Sequence, residues 1–239
     1  PDAMAGPKTI AEKIIARHAV VADGLDWDLT TGTAGFVRPD WRYFHDIFSA
    51  QCAYLAHQFY GEDLKLYKPE SIRSFEDHYS YAHRPEVNAK RDRMPDIRRM
   101  AKGHRAFWQK YGMKDHGDLK GEEGSEGISH AIMTEMYALP GQLLAGTDSH
   151  TPHNGALGCL SYGVGSTDMA NSLMTGMNRL TMPESVRGRL TGTIPPGVMA
   201  KDIVLEVLAD SFTKTGGGIG KVYEYTGPAV AQLPVDERT

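Results

Sequence analysis

The sequence predicts a layered α/β/α domain with a largely parallel sheet, on three observations. Segments with helical apolar spacing alternate along the chain with short apolar runs of strand length. Proline and glycine mark the ends of these segments, as at Pro95, Gly112 and Pro195-Pro196. The 239 residues suffice to bury one full core, and a single domain over 1–239 is the simplest organisation. Pro1-Asp2-Ala3, ahead of Met4, is set aside as a remnant.

Residues 9–20 read as a helix capped by Thr9, with Ile10, Ile14 and Ile15 on one face. Residues 46–60 repeat the pattern through Ile47, Phe48, Leu55 and Phe59. A short strand is expected over 71–76, followed at once by Asp77-His78. The helix over 95–111 carries Ile97, Met100, His104, Phe107, Trp108 and Tyr111 at helical spacing. A shorter helix is expected over 128–137, then a buried strand over 143–147 ending at Asp148. Residues 168–176 form a helix capped by Ser166 or Thr167, and 186–194 a strand. Residues 201–212 form a helix with Ile203, Val204, Val207, Leu208 and Phe212 inward, and 222–225 a last strand. The segments 79–94 and 115–127 are polar loops, and there is no internal repeat.

A formal net charge of -4 with 23% charged residues gives no electrostatic reason to expect nucleic acid or an anionic membrane as partner. No apolar run approaches the ~20 residues of a membrane helix. Two cysteines, Cys52 and Cys159, are too few for a disulfide scaffold, which points to a reducing, cytoplasmic location. Without a Cys-x-x-Cys pattern they cannot supply a full thiolate set for a metal cluster.

Three short clusters could carry chemistry: Asp77-His78 after a strand, Gly127-Ile128-Ser129-His130 at a helix start, and Gly146-Thr147-Asp148-Ser149-His150-Thr151-Pro152. Ligands of α/β sheets bind beyond the carboxyl ends of strands, where the first and third clusters would lie. A carboxylate beside a histidine orients the ring and holds its charged form, a workable acid-base unit near neutral pH. Against this, most of the ten histidines need no chemical role. His18, His45, His57, His83, His104, His116 and His153 read as surface or packing residues, and Asp77-His78 taken alone as a turn. Consecutive Asp148-Ser149-His150 cannot stack into a Ser-His-Asp relay. The glycines at 216–218 and 220 precede a strand and lack a Lys-Ser/Thr, so they read as a flexible connection.

The stretch Leu144-Ala145-Gly146-Thr147-Asp148-Ser149-His150-Thr151-Pro152-His153-Asn154-Gly155-Ala156-Leu157-Gly158, continuing as Tyr162-Gly163-Val164-Gly165-Ser166-Thr167-Asp168, resembles the signature of the aconitase family. Within it, the wording is most like that of the dehydratase large subunits. Thr9 through Ala19, Ser49-Ala50-Gln51, Glu76-Asp77-His78, Gly127-Ile128-Ser129-His130, Lys201 through Leu205 and Glu224 through Pro228 agree in the same order.

The resemblance implies the N-terminal domain of a hydro-lyase large subunit that dehydrates and rehydrates a small hydroxy di- or tricarboxylic acid. It implies that Gln51 and Ser149 contact substrate, and that His78, backed by Asp77, protonates the departing hydroxyl. His130 and His150 would join the network around substrate, with Asp148 orienting His150. It also implies a four-iron four-sulfur cluster whose cysteines lie downstream of Thr239. The isolated chain is therefore expected to bind no cluster and to be inactive, completed by later domains or a small swivelling subunit. Two other readings are a stand-alone, cluster-free carboxylate-binding protein and a cluster-independent lyase using His78 and His130.

Overall fold

The computed structural model describes residues 8–22, 24–79, 94–117 and 125–239. Most of the polar segment 79–94, the middle of 115–127 and His83 lie outside the described residues. In chain order the main elements are α1 (Ile10–His18), β1 (Ala34–Val37), β2 (Trp41–His45), α2 (Asp46–Tyr60) and β3 (Ile72–Phe75). There follow α3 (Met94–Tyr111), β4 (Lys114–Asp115), α4 (Ser129–Ile132), β5 (Leu143–Gly146), β6 (Leu160–Gly163) and α5 (Ser166–Thr175). The last are β7 (Asn178–Thr181), β8 (Ser185–Arg189), α6 (Ala200–Ala209) and β9 (Val222–Thr226). Among the described residues no helix is long and apolar enough to cross a membrane.

The chain divides into two compact units, one of Phe36–Arg179 and one of Pro1–Gly35 with Leu180–Thr239. The first unit is a layered α/β structure around a five-stranded sheet of order β4-β3-β2-β5-β6. Every neighbouring pair in it is parallel, with Arg42 opposite Ile72 and Trp41 opposite Leu144. Strand β2 is central and buried on both faces, so it lacks the alternation that marks a half-exposed strand. Phe44 points to one side, into a core with Cys52, Ala56, Ile72, Phe107, Met169 and Leu173 from α2, α3, β3 and α5. Tyr43 points to the other, with Phe75, Ile132, Met133, Leu144 and Cys159. Arg42 is buried and donates to the carbonyl oxygens of Tyr67 at 2.5 Å and Ser172 at 2.6 Å, tying the strand to both connections.

The second unit contains the parallel pair β8–β9 and the helices α1 and α6. Thr9 caps α1 reciprocally with Glu12, and the Ala11 amide donates to the Glu224 carboxylate in the middle of β9 (3.0 Å).

Several expected boundaries and faces are corrected. Ile10 is exposed and Ala11 takes the inward place beside Ile14 and Ile15. The fully buried residues of α2 are Asp46, Ser49, Cys52 and Ala56; of the expected stripe, Phe48 and Leu55 pack half-buried against the same core and Phe59 is exposed. α5 begins at Ser166, after Gly165, and no side chain caps it. Helix α6 ends at Ala209, where Asp210 caps a further turn, Ser211–Lys214, and Val204, Leu208 and Phe212 are exposed. Residues 128–137 split into α4 and a wider π-helical turn, Met133–Tyr137. Asp115, placed in a loop from the sequence, closes β4.

Candidate functional site

Three adjacent parallel strands end in polar groups that converge. Beyond β2 come His45 and Asp46, beyond β3 Asp77 and His78, and beyond β5 Asp148. This is the carboxyl-end rim where open α/β sheets bind ligands. His78, His130 and His150 are each hydrogen-bonded to a carboxylate, whereas His45 only approaches two.

Asp77 holds two segments at once. Its Oδ1 accepts His78 Nδ1–H at 2.7 Å, and its Oδ2 accepts the amide of Ser129, the first residue of α4, at 2.8 Å. Burial raises the Asp77 carboxyl, but the donors from Ser129 and His78 outweigh it and hold it below the usual carboxylate range. As an acceptor, the ionised Asp77 fixes the proton of His78 on Nδ1 and turns Nε2 toward Asp148, 3.8 Å from its Oδ2.

Asp148 is the hub. Its Oδ1 accepts from His130 Nε2 at 3.1 Å, His150 Nδ1 at 2.9 Å and the His150 amide at 2.6 Å. Its Oδ2 faces His45 Nε2 at 3.7 Å and His78 Nε2 at 3.8 Å. Burial again raises the carboxyl, yet the His150 hydrogen bonds and the His130 and His45 rings bring it down to about 2. The amide bond from His150 makes a local Asx turn, which throws Ser149 and His150 out to solvent; His150 is 81% exposed at its side chain. Buried His130 has its own value lowered, by desolvation first and against the pull of Asp148.

The rim therefore has a reachable layer and a supporting layer. His78, one-third exposed, with Ser149 and His150, can meet a ligand. Asp77, His130 and His45 lie behind them. Of the residues marked in the sequence, Asp77, His78, His130, Asp148 and His150 come together. Gln51 sits apart from their hydrogen-bond network, exposed on α2, where its Oε1 accepts the Ser166 hydroxyl at 3.0 Å.

His45 is a packing residue, as expected, but one of the rings it packs on is that of His78 in the site. It is 1% exposed and stacks on His78 with ring centroids 4.0 Å apart and planes 22° apart. Neither of its nitrogens has a hydrogen-bond partner among the described residues. The signal available in the sequence was a second His-Asp pair, His45-Asp46, at a strand-to-helix junction. The Asp46 carboxylate accepts the Tyr79 amide at 2.8 Å and lies 3.7 Å from His78 Nδ1. His104 and His116 are core residues, bonded to Ser74 and Asp115 and to Glu126 and Tyr137.

Glycine is required at one point of the rim for close approach. A Cβ on Gly146 would stand 2.5 Å from Thr151 Oγ1 and 2.7 Å from Cζ of the buried Tyr43 ring. Gly146→Ala is expected to cost about 1–3 kcal/mol by overpacking, visible as a lower unfolding midpoint in urea, with chemical-shift changes centred on Tyr43 and His130. A stability within a few tenths of the parent value would contradict this packing.

Buried Cys52 has its thiol pushed up to about 12, and Cys159 to about 11, so neither is a ready thiolate and neither fits a cluster ligand. The groups His45/Asp46/Asp77/His78 and His130/Asp148/His150 are compact enough for one ion each. However, a single ion cannot lie in the planes of two stacked rings, and Asp148 Oδ1 already accepts three donors. The arrangement suits proton handling and carboxylate or hydroxyl binding better than chelation.

The model of the aconitase family (aconitate hydratase) matches residues 12–239. The chain belongs to the aconitase family. It is 31% identical over 234 residues to 3-isopropylmalate dehydratase large subunit 1 of Pyrococcus furiosus, covering 98% of this chain and 50% of that protein. It is 35% identical over 233 residues to the large subunit of Aquifex aeolicus, covering 96% and 48%. For the chloroplastic large subunit of Arabidopsis thaliana the identity is 30% over 231 residues, with 96% and 43% covered. This aconitase-family chain thus spans about half the length of the curated relatives it matches.

Proposed function

We propose that this chain is the N-terminal part of an aconitase-type hydro-lyase that removes and re-adds water on a small hydroxy di- or tricarboxylic acid. A 2-substituted malate of the 3-isopropylmalate kind fits best, given the names of the relatives. The observation that carries the reading is the convergence of two Asp–His units, Asp77–His78 and Asp148–His130, at one sheet rim. His78 protonated at Nε2 donates to the departing hydroxyl, while Asp77 keeps the ring turned and stabilises its charge. Ser149 and His150, held outward by the Asx turn at Asp148, bind substrate oxygens; the role of Gln51 as a further substrate contact rests on the family resemblance alone.

The four-iron cluster implied by the resemblance is assigned to cysteines outside this chain, because Cys52 and Cys159 do not fit its ligands. A small swivelling subunit or later domains of the same polypeptide complete the cavity. The reading frame of the source gene beyond Thr239 is expected to continue into Ser-Cys-Thr and Cys-x-x-Cys segments. The encoded enzyme, reconstituted anaerobically with its small subunit, is expected to form an unsaturated acid from 3-isopropylmalate, followed by ultraviolet absorbance. An in-frame stop at Thr239, or full cluster loading of the isolated chain, would overturn the proposal.

A further inference from the structure

We propose that Tyr43 is a positioning residue that donates its hydroxyl proton to His130 Nδ1, holding that ring as a neutral Nε2–H donor aimed at Asp148. The inference deepens the hydro-lyase reading and takes its catalytic meaning from it, but its geometry stands on this chain alone.

The proton assignments follow in sequence. Asp148, held ionised, can only accept, so the 3.1 Å contact requires a hydrogen on His130 Nε2. Burial keeps His130 neutral, which leaves Nδ1 as a bare acceptor. The atom facing it, at 3.1 Å, is the Tyr43 hydroxyl. Tyr43 is fully buried, and desolvation first of all raises its phenol, so the proton stays on oxygen.

The other contacts of that hydroxyl agree. Asn154 Nδ2 donates to it at 3.4 Å, and donates also to Thr151 O at 3.1 Å. The Thr151 carbonyl can only accept, so that contact sets the amide the right way round; the Thr134 hydroxyl donates to His130 O at 2.9 Å. The competing acceptor is the neighbouring Thr151 hydroxyl, whose own proton goes to Asp148 O at 2.6 Å. The order of donation is therefore Asn154 to Tyr43, Tyr43 to His130, and His130 to Asp148.

This chain of donors gives His130 a defined role. Protonation at Nδ1 would set its N–H against the Tyr43 hydroxyl, which must then turn its own proton elsewhere. Tyr43 thus opposes protonation of His130, alongside His153, whose ring centroid is 6.2 Å away, while Asp148 and Asp77 favour it. His150 lies 6.0 Å away and is itself bonded to Asp148. His130 acts as a standing donor that orients Asp148, and the proton-transfer work falls to His78.

The test is nitrogen-15 and proton NMR of the histidine rings in this chain, without substrate. In the unmodified chain, a slowly exchanging Tyr43 hydroxyl proton is expected, with scalar coupling across the hydrogen bond to His130 Nδ1. In Tyr43→Phe, which keeps the buried ring, the Nδ1 resonance is expected to move to the unbonded position. The His130 titration midpoint is expected to rise by about one unit, a tenfold change. Coupling of the Tyr43 proton to Thr151 instead, or an Nδ1 resonance and midpoint unmoved in Tyr43→Phe, overturns the assignment. The coupling measurement needs no variant, so it decides even where Tyr43→Phe folds poorly. An inactive full-length enzyme would unseat the hydro-lyase reading and leave these spectra unchanged.

Discussion

In the proposed hydro-lyase, Asp148→Asn is expected to lower turnover by about 10²–10⁴-fold, the range of a lost acid-base partner. The substitution isolates charge from shape. Asparagine keeps a carbonyl oxygen where Oδ1 now accepts the His150 amide, so the Asx turn and the outward pose of Ser149 persist. What disappears is the negative charge beneath His130, His150, His45 and His78.

Acid unfolding of the isolated chain provides a second readout. The Asp148 carboxyl is depressed from 3.8 to about 2 in the folded state. Its contribution to stability is therefore complete above about pH 4 and is lost as the pH falls through about 2. Asp148→Asn should lose less stability than the parent between those limits, measured by urea unfolding at a series of pH values. Identical acid profiles would show that the carboxylate is not held as described.

Phe44→Ala is expected to remove about 3–5 kcal/mol of stability, the usual cost of emptying a fully buried aromatic site. The Phe44 ring is at the centre of the core under the sheet, 5.9 Å from Phe107 and 6.1 Å from His104 by centroid. Neighbours from α2, α3 and α5 close on it from three helices, so the space cannot collapse without moving one of them. With a urea slope of about 2–3 kcal/mol/M the midpoint should fall by more than about 1 M. Phe44→Leu should lose much less. Tyr43 and His45 flank Phe44 on the opposite face of the same strand, so the cavity should also broaden the ring signals of His78 and His130. A loss under about 1 kcal/mol would mean that the layer is looser than its burial indicates.

The sequence carried the fold class because α2 and α3 show helical apolar spacing, while β3 and β5 are short runs of strand length between them. It concealed β2, the most important strand. Trp41-Arg42-Tyr43-Phe44-His45 mixes charge and aromatics, and in a strand buried on both faces neither kind alternates. Arg42 is tolerated there because main-chain carbonyls receive its guanidinium, an arrangement invisible from spacing. The site was legible where two residues sit side by side, as in Asp77-His78. It was not legible where partners come from distant strands, as with His45 under His78 or Tyr43 beside His130. The outward face of α6 misled for a related reason: apolar spacing says that a face wants cover, not that this unit supplies it.

The all-parallel sheet also governs how quickly the rim can come into being. Parallel neighbours cannot be joined by tight hairpins, and β2 must wait for β3 and then for β5, which returns only after the whole of α3 and α4. Such long-range closure makes folding slow compared with local helix formation. During refolding, helical signal should recover early and the carboxylate–imidazole contacts late, when β5 docks beside Trp41 and carries Asp148 in. A nascent chain released before residue 148 would hold the segments of α1 to α4 and still lack the hub on which the histidines converge.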